Sequence, residues 1–292
     1  MAEAFVYRVR LAAPPPVVYQ ALTTAEALRA WFAEHAEVSL PQARYEFWGR
    51  STPGGDIPRQ RLLKAEPDHL LRFAWTLEGD ETTAEIRLDP DGPQGTMLRL
   101  AQTGVPTWAE LSTGGGKRGT LHNFWMLSIA NLANHVEGRP LVPRCDFSPA
   151  RPAQARVELT VDASPTAVFA SLTEPAELDR WLTSGAKVDP RVGGEIVMHP
   201  GAEPLRILDL DPDRTLAHTW EFAGLHTVVR WELEGSQGRT HLTLVHSGFA
   251  DDATDAAAQQ ESGWLALLSE FNRMHESGPT WRPRVLEFAL PQ

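Results

Sequence analysis

The sequence is poor in cysteine and in lysine. Cys145 is the only cysteine among 292 residues, which excludes an intrachain disulfide and a zinc site built from several thiolates. Lysine occurs only at positions 64, 117 and 187, and the chain has no run of basic residues. The net charge of −11 has the wrong sign for binding nucleic acid or an anionic membrane surface. We therefore expect no nucleic-acid partner.

Long apolar runs and targeting signals are also missing. No stretch approaches the roughly 20 apolar residues that span a bilayer, and the N-terminus has no basic region followed by an apolar core. The sequence contains no phosphate-binding loop, nucleophile elbow, HExxH or dinucleotide-binding motif. These absences predict a cytoplasmic protein without membrane insertion and without a cofactor.

The most informative feature that is present is an internal repeat. Segment 13–32, APPPVVYQALTTAEALRAWF, matches segment 163–182, ASPTAVFASLTEPAELDRWL, without a gap. Three further matches follow in the same order: 62–79 with 207–224, 95–104 with 239–248, and the segment from Phe124 with the one from Gly263. Four matches in one order indicate a duplication.

The duplication accounts for the length of the chain, because domains are most often roughly 100–150 residues long. A proline-rich stretch without apolar periodicity separates the copies, as expected for a linker. We predict a first domain over 1–140, a linker over 141–153 and a second domain over 154–292. The second domain includes an apolar C-terminal tail, which we expect to dock within the chain.

Each copy begins with the same predicted elements. Residues 5–11 and 155–161 alternate between apolar and polar, which predicts a first strand. Ser164 followed by Pro165 is typical of a helix start. A second short helix is predicted from Glu174 onward.

The remainder of each copy predicts a sheet and a final helix. Alternation over 71–78 and 216–222 is typical of an antiparallel sheet with one buried face. Apolar residues at helical spacing, from Leu121 in the first copy and from Trp264 in the second, predict a long last helix.

The order of one strand, two short helices, several strands and a long helix resembles the START-like, or helix-grip, superfamily. Within it, the motifs resemble the AHSA family, named for activators of the heat-shock-protein-90 ATPase. The resemblance is carried by ASPTAVFASLTEPAELDRWL, DPRVGGEIVM, ILDLDPDRTLAHTW, GRTHLTLVHSGF and GWLALLSEF. It implies an α+β fold of two tandem helix-grip domains, each a curved antiparallel sheet wrapped around a long C-terminal helix. It also implies a cavity for a hydrophobic ligand, and a chaperone or other protein partner.

The inward face of each sheet, inferred from the alternation, predicts the lining of that cavity. In the first domain the predicted ligand-binding residues are Tyr45, Phe47, Phe73, Trp75, Ile86, Leu98, Leu100, Gln102 and Trp125. In the second domain they are Met198, His218, Trp220, Trp231, Leu242, Leu244, His246, Trp264 and Leu268. The copies differ in polarity, because His218 replaces Phe73 and His246 replaces Gln102.

Three functions are compatible with these residues. The sequence favours non-catalytic binding of an apolar or aromatic small molecule. The first alternative is docking on a chaperone or another protein. The second is a cyclase-like or hydrolase-like enzyme that uses His218 and His246 as acid and base. The same side chains also suit an ordinary core. We predict no metal site, because no third inward His, Cys or carboxylate accompanies the two histidines.

Overall fold

The structure, a computed structural model, describes residues 4–107, 110, 116–222, 224–236 and 238–289. The chain divides into two compact units, Met1–Arg151 with Arg284–Gln292, and Pro152–Pro283. Each unit contains an antiparallel sheet and a long helix, which confirms the predicted tandem α+β architecture. No helix in the described part of the chain is long and apolar enough to cross a bilayer.

The strands of the first unit are β1 Ala4–Leu11, β2 His35–Ser39, β3 Arg44–Trp48, β4 Gln60–Glu66, β5 Leu70–Leu77, β6 Asp80–Pro90, β7 Thr96–Thr103 and a C-terminal strand, Val285–Ala289. Its helices are α1 Pro15–Thr23, α2 Ala25–Trp31, the single turn α3 Gly116–Gly119, and α4 Leu121–Val136. In the six-stranded sheet, the C-terminal strand lies beside β1, followed by β7, β6, β5 and β4. Strands β2 and β3 pair separately. Along β1 the buried side chains alternate with partly exposed ones, because successive residues of a strand point to opposite faces.

The second unit contains β8 Ala155–Val161, β9 Lys187–Val188, β10 Glu195–Val197, β11 Leu205–Asp211, β12 Thr215–Phe222, β13 Leu225–Ser236 and β14 Arg239–Ser247. Its helices are α5 Pro165–Thr173, α6 Pro175–Trp181 and α7 Thr254–Ser277. All seven strands form one sheet with the order β8, β14, β13, β12, β11, β10, β9.

The two short helices are held in the same way in both units. The indole Nε1 of Trp31 donates to the carbonyl oxygen of Ala21 at 3.0 Å, and Trp181 donates to Ser171 at 2.9 Å. In the second unit the side chain of Ser164 accepts from the backbone N–H of Ala167, so the predicted helix cap is confirmed. These bonds fix the short helices as one layer beside the long helix.

The turn between β9 and β10 requires glycine. Gly193 has a φ of +79°, a conformation that side chains with a Cβ rarely adopt. A Cβ on Gly194 would lie 2.1 Å from the carbonyl oxygen of Asp189, closer than atoms can approach. The glycine pair therefore allows the tight turn that leads into β10.

The C-terminal strand, β15 Val285–Ala289, belongs to the first unit, whereas the prediction counted the tail with the second domain. It pairs antiparallel with β1, and the ring of Phe288 stacks on Tyr7 with centroids 4.8 Å apart. Buried Arg284 donates to Asn134 Oδ1 at 3.1 Å and to the carboxylate of Glu137. Strand pairing of this kind is non-local, so the tail's own sequence does not indicate its partner.

Much of the predicted linker also packs on the first unit, which extends to Arg151 rather than residue 140. Phe147 is buried against Phe124 of α4 with ring centroids 5.8 Å apart. Its backbone N–H donates to the carbonyl oxygen of Arg50 at 2.7 Å. An apolar side chain and a backbone hydrogen bond thus attach this segment.

Candidate functional site

All nine residues predicted to bind a ligand in the first unit lie in its interior, with side chains at most 3% exposed. Phe47 packs edge-on against Trp75 with ring centroids 5.1 Å apart. Phe124, from α4, approaches the same indole at 5.6 Å. The rings form a dense aromatic cluster between sheet and helix, and their role in ligand binding stays a prediction.

A chain of hydrogen bonds crosses this cluster through Gln102. The amide nitrogen of Gln102 donates to Thr82 Oγ1 at 2.8 Å, and its amide oxygen accepts from the indole of Trp125. Thr82 in turn donates to the carbonyl oxygen of Trp75 at 2.8 Å. The chain gives hydrogen-bond partners to the buried side chains of Gln102, Thr82 and Trp125, and it ties α4 to β5 through β7 and β6.

In the second unit, seven of the nine predicted residues have side chains at most 2% exposed. Met198 and Trp220 are the exceptions, because both are half-buried. Trp264 from α7 contacts Trp220 at 5.1 Å and Trp231 at 5.4 Å between ring centroids. The second unit therefore has an aromatic cluster that reaches the surface at one end.

His246 occupies the place of Gln102 and makes the equivalent bonds. Trp264 Nε1 donates to His246 Nδ1 at 3.0 Å, and His246 Nε2 lies 2.8 Å from Thr227 Oγ1. Thr227 donates to the carbonyl oxygen of Trp220 at 2.8 Å. Because an indole can only donate, Nδ1 must be the acceptor, and the proton of neutral His246 lies on Nε2.

His218 is also held by two partners. Its Nδ1 lies 2.8 Å from the carbonyl oxygen of Thr219, which can only accept, so Nδ1 carries the proton. Its Nε2 accepts from Trp231 Nε1 at 3.2 Å. The two histidines therefore have opposite tautomers, each fixed by a neighbouring indole.

Both imidazoles are neutral near pH 7. Burial lowers the pKa of His218 to about 4, and the hydrogen bond to Thr219 opposes this only in part. Burial lowers the pKa of His246 to about 3, and the proximity of His218 contributes to this low pKa. Each ring nitrogen already has a partner, so neither lone pair is free to take a proton from a substrate. The arrangement supports structural roles and not the acid–base hypothesis.

In the part of the chain that the structure describes, the side chains do not form a candidate metal site. No group of three or more His, Cys, Asp or Glu side chains there could hold a metal ion. Tetrahedral zinc sites need three or four such ligands.

One unsatisfied polar group recurs in both units. Nε1 of Trp75 and Nε1 of Trp220 are buried atoms without a hydrogen-bond partner among the described residues. The two tryptophans occupy the same position of the repeat. A buried N–H without an acceptor costs about 1–3 kcal/mol, so an acceptor placed beside it is stabilising.

The two indoles differ in what covers them. Eleven residues, 49–59, connect β3 to β4, and a Cβ placed on Gly54 would lie 3.1 Å from Nε1 of Trp75. Seven residues, 198–204, make the equivalent connection in the second unit. The longer loop closes over Trp75, which is fully buried, whereas Trp220 stays half-buried.

Sequence reasoning missed the two threonines that complete the hydrogen-bond chains. Thr82 and Thr227 align when the match of 62–79 with 207–224 is extended by three residues, so the signal was present in the repeat. It also missed Gly54, because its contact with Trp75 joins segments that are distant in sequence.

The family model for activator of Hsp90 ATPase homolog 1-like protein matches residues 12–137 and 162–276. No curated protein matches the chain significantly.

Several solved structures are similar to parts of the chain or to most of it. A protein from Mesorhizobium loti is 25% identical, with 43% of this chain and 98% of its own covered and a TM-score of 0.39. The Aha1 dimer from Colwellia psychrerythraea is 22% identical, with 43% and 98% covered and a TM-score of 0.38. DynU16, from the dynemicin biosynthetic locus, is 19% identical, with 94% and 100% covered and a TM-score of 0.38.

Proposed function

The chain belongs to the family of activator of Hsp90 ATPase homolog 1-like proteins, and from this premise we propose that its second domain, Pro152–Pro283, binds a small apolar or aromatic molecule that carries a hydrogen-bond acceptor. The observation that carries the proposal is the indole N–H of half-buried Trp220, which has no acceptor in the part of the chain that the structure describes. A ligand acceptor beside Nε1 removes the cost of leaving that donor unsatisfied.

The surroundings of Trp220 suit a flat apolar ligand. The indole lies 5.1 Å from the ring of Trp264 and 6.2 Å from that of His246, measured between centroids. Phe249, also half-buried, lies 4.8 Å from His246. Aromatic walls supply contact area, and a single polar group sets the orientation of the bound molecule.

The other polar groups of the cluster do not compete for the ligand. Both ring nitrogens of His218 and of His246 have hydrogen-bond partners. The hydroxyl of Thr227 donates to the carbonyl oxygen of Trp220 and accepts from His246. They hold the aromatic walls in place, so the Trp220 N–H is the donor left for the ligand. Preorganisation of this kind reduces the entropy that binding costs.

Native mass spectrometry of the full chain, purified from its own host, tests the proposal. We expect a bound species with the added mass of one small molecule. Trp220→Phe keeps an aromatic ring but removes the donor, and we expect the affinity to fall roughly fivefold, in line with one hydrogen bond of about 1 kcal/mol. Trp75→Phe, at the equivalent position of the first domain, is the matched control and should leave the bound fraction unchanged.

A bound species that persists equally in Trp220→Phe would overturn the assignment to Trp220. A protein that is empty, and shows no thermal shift with lipids or aromatic compounds, would contradict small-molecule binding altogether.

The second candidate function is docking on a protein, with an Hsp90-type chaperone suggested by the family name. It is favoured by two leucines at equivalent β-bulges. Leu63 in the first unit and Leu208 in the second each lie where the register of the strand pairing shifts, and they are 39% and 43% exposed. An empty protein in the experiment above would favour this second function.

A further inference from the structure

A surface groove occurs at the same place in both units, beside the short helices and the C-terminal end of the long helix. In the first unit it has a volume of about 420 Å³, and Ala27, Ala30, His135 and Val136 contribute to its lining. In the second unit it has a volume of about 650 Å³. Glu177, Arg180, Met274 and His275 occupy the four equivalent positions there. The groove was therefore retained after duplication while its chemistry changed.

The change introduces positive charge. Arg180 stands in place of Ala30, and Arg282 joins the lining from the segment that follows α7. Glu177 pairs with Arg180 at 2.6 Å, whereas Arg282 has no acidic partner among the described residues. Burial lowers the pKa of His275 and the charge of Arg180 lowers it further, while Glu177 opposes them, so this imidazole is neutral at pH 7. The groove thus carries one net positive charge in a chain whose net charge is −11.

Some N–H groups of the two guanidinium groups donate hydrogen bonds to backbone carbonyl oxygens. Arg180 Nη2 donates to Gly278 at 3.5 Å, and Arg282 Nη1 donates to Pro279 at 3.2 Å and to Trp281 at 2.6 Å. Nε and Nη2 of Arg282 and Nε of Arg180 have no acceptor among the described residues. Guanidinium donors match a carboxylate well.

The remaining wall of the groove is apolar. Met274, Pro279, Trp281 and Pro283 contribute to it. The guanidinium carbon of Arg273 lies 5.6 Å from the centre of the Trp281 ring, which holds the indole in place from one side. Nε1 of Trp281 is buried and has no partner among the described residues.

We propose that this groove of the second unit binds a small carboxylate with an apolar body, at a site separate from the one beside Trp220. The guanidinium of Arg282 binds the carboxylate, Arg180 supports it, and the apolar body lies against Trp281 and Met274. The groove of the first unit, which has alanine in place of Glu177 and Arg180, does not bind the carboxylate.

Titration of the full chain with naphthalene-2-carboxylate tests this site. Binding is followed by calorimetry, and the location by the indole signals of Trp281 and Trp220 in ¹H–¹⁵N spectra. We expect the Trp281 signal to shift and naphthalene-2-carboxamide, the neutral analogue, to bind at least tenfold more weakly. Arg282→Gln should weaken carboxylate binding by roughly tenfold or more, because a charge-assisted hydrogen bond is lost.

Two further variants keep the test decisive. Arg180→Gln should weaken binding in the same direction if Arg282→Gln disturbs the local fold. Arg156→Gln is the matched control, because Arg156 is an exposed arginine whose guanidinium lies 2.6 Å from the carboxylate of Glu158. It should leave the affinity unchanged.

Equal affinity for the carboxylate and the carboxamide would overturn the proposal, as would unchanged affinity in both Arg282→Gln and Arg180→Gln. A shift confined to the Trp220 signal would place the probe at the interior site and would also overturn it, while leaving the proposed function intact.

Discussion

Replacing His246 tests the structural role that its two hydrogen bonds assign to it. His246→Gln introduces the residue that the first copy uses at the equivalent position, where Gln102 bonds to Thr82 and to Trp125. We expect glutamine to make both bonds again and to cost less than about 1 kcal/mol. His246→Leu leaves the Trp264 N–H, in a side chain 2% exposed, without an acceptor.

The cost of the leucine variant follows from the bonds lost. An unsatisfied buried donor costs about 1–3 kcal/mol, and the lost hydrogen bond to Thr227 about 0.5–1.5 kcal/mol. Together these losses destabilise the second domain by about 2–4 kcal/mol. The ring contact between His246 and Phe249 is lost as well, which adds to this cost.

Native-state hydrogen exchange measures this difference domain by domain, which suits a two-domain chain that need not unfold in a single step. Amides of β13 and β14 should exchange roughly 30- to 700-fold faster in His246→Leu and less than about fivefold faster in His246→Gln, since about 1.4 kcal/mol corresponds to tenfold. Amides of β6 and β7 serve as the internal control. Equal acceleration in both variants, or none in the leucine variant, would refute the role assigned to His246.

Two further predictions concern the tail and the pH. Arg284→Met should destabilise the first domain by about 3 kcal/mol, because it leaves the Glu137 carboxylate without its buried partner, although residue 284 follows the second domain in sequence. Exchange should accelerate in β1 and β7 but not in β8 and β14, and the reverse pattern would contradict the assignment of the tail. Lowering the pH from about 6.5 toward 4 should destabilise the second domain by about 1.4 kcal/mol per pH unit for each of His218 and His246, because the unfolded state binds protons that the buried neutral rings exclude. Urea unfolding as a function of pH measures this slope, which His246→Gln should halve, and a flat or opposite slope would be inconsistent with buried neutral histidines.

Local patterns predicted most of the fold because each strand has one buried face. The alternation at 155–161 and 216–222, and the Ser164–Pro165 helix start, correspond to observed elements. The repeat also located the interior positions, because aligning the two copies places His246 opposite Gln102. These features depend on neighbours that are close in sequence or on the repeat itself.

The features that were not predicted depend on distant contacts. The apolar residues of the tail indicated docking, but only the pairing of Tyr7 with Phe288 shows that β1 receives it. The burial of the Trp75 indole depends on the loop that contains Gly54. Glycine has no side chain, so it adds nothing to the hydrophobic pattern from which burial is predicted. The hydrogen bonds that occupy His218 and His246 likewise require three-dimensional geometry, since the residue types alone suit an acid–base pair.

The indole proton of Trp220 tests the central claim most directly. Its ¹H–¹⁵N signal should be compared between the chain as purified from its host and the same chain emptied by unfolding and refolding. We predict that the signal of the purified protein lies downfield and exchanges more slowly, because a ligand acceptor has replaced the missing partner, while the Trp75 signal stays in place. Identical Trp220 signals in the two samples would contradict ligand binding at this site.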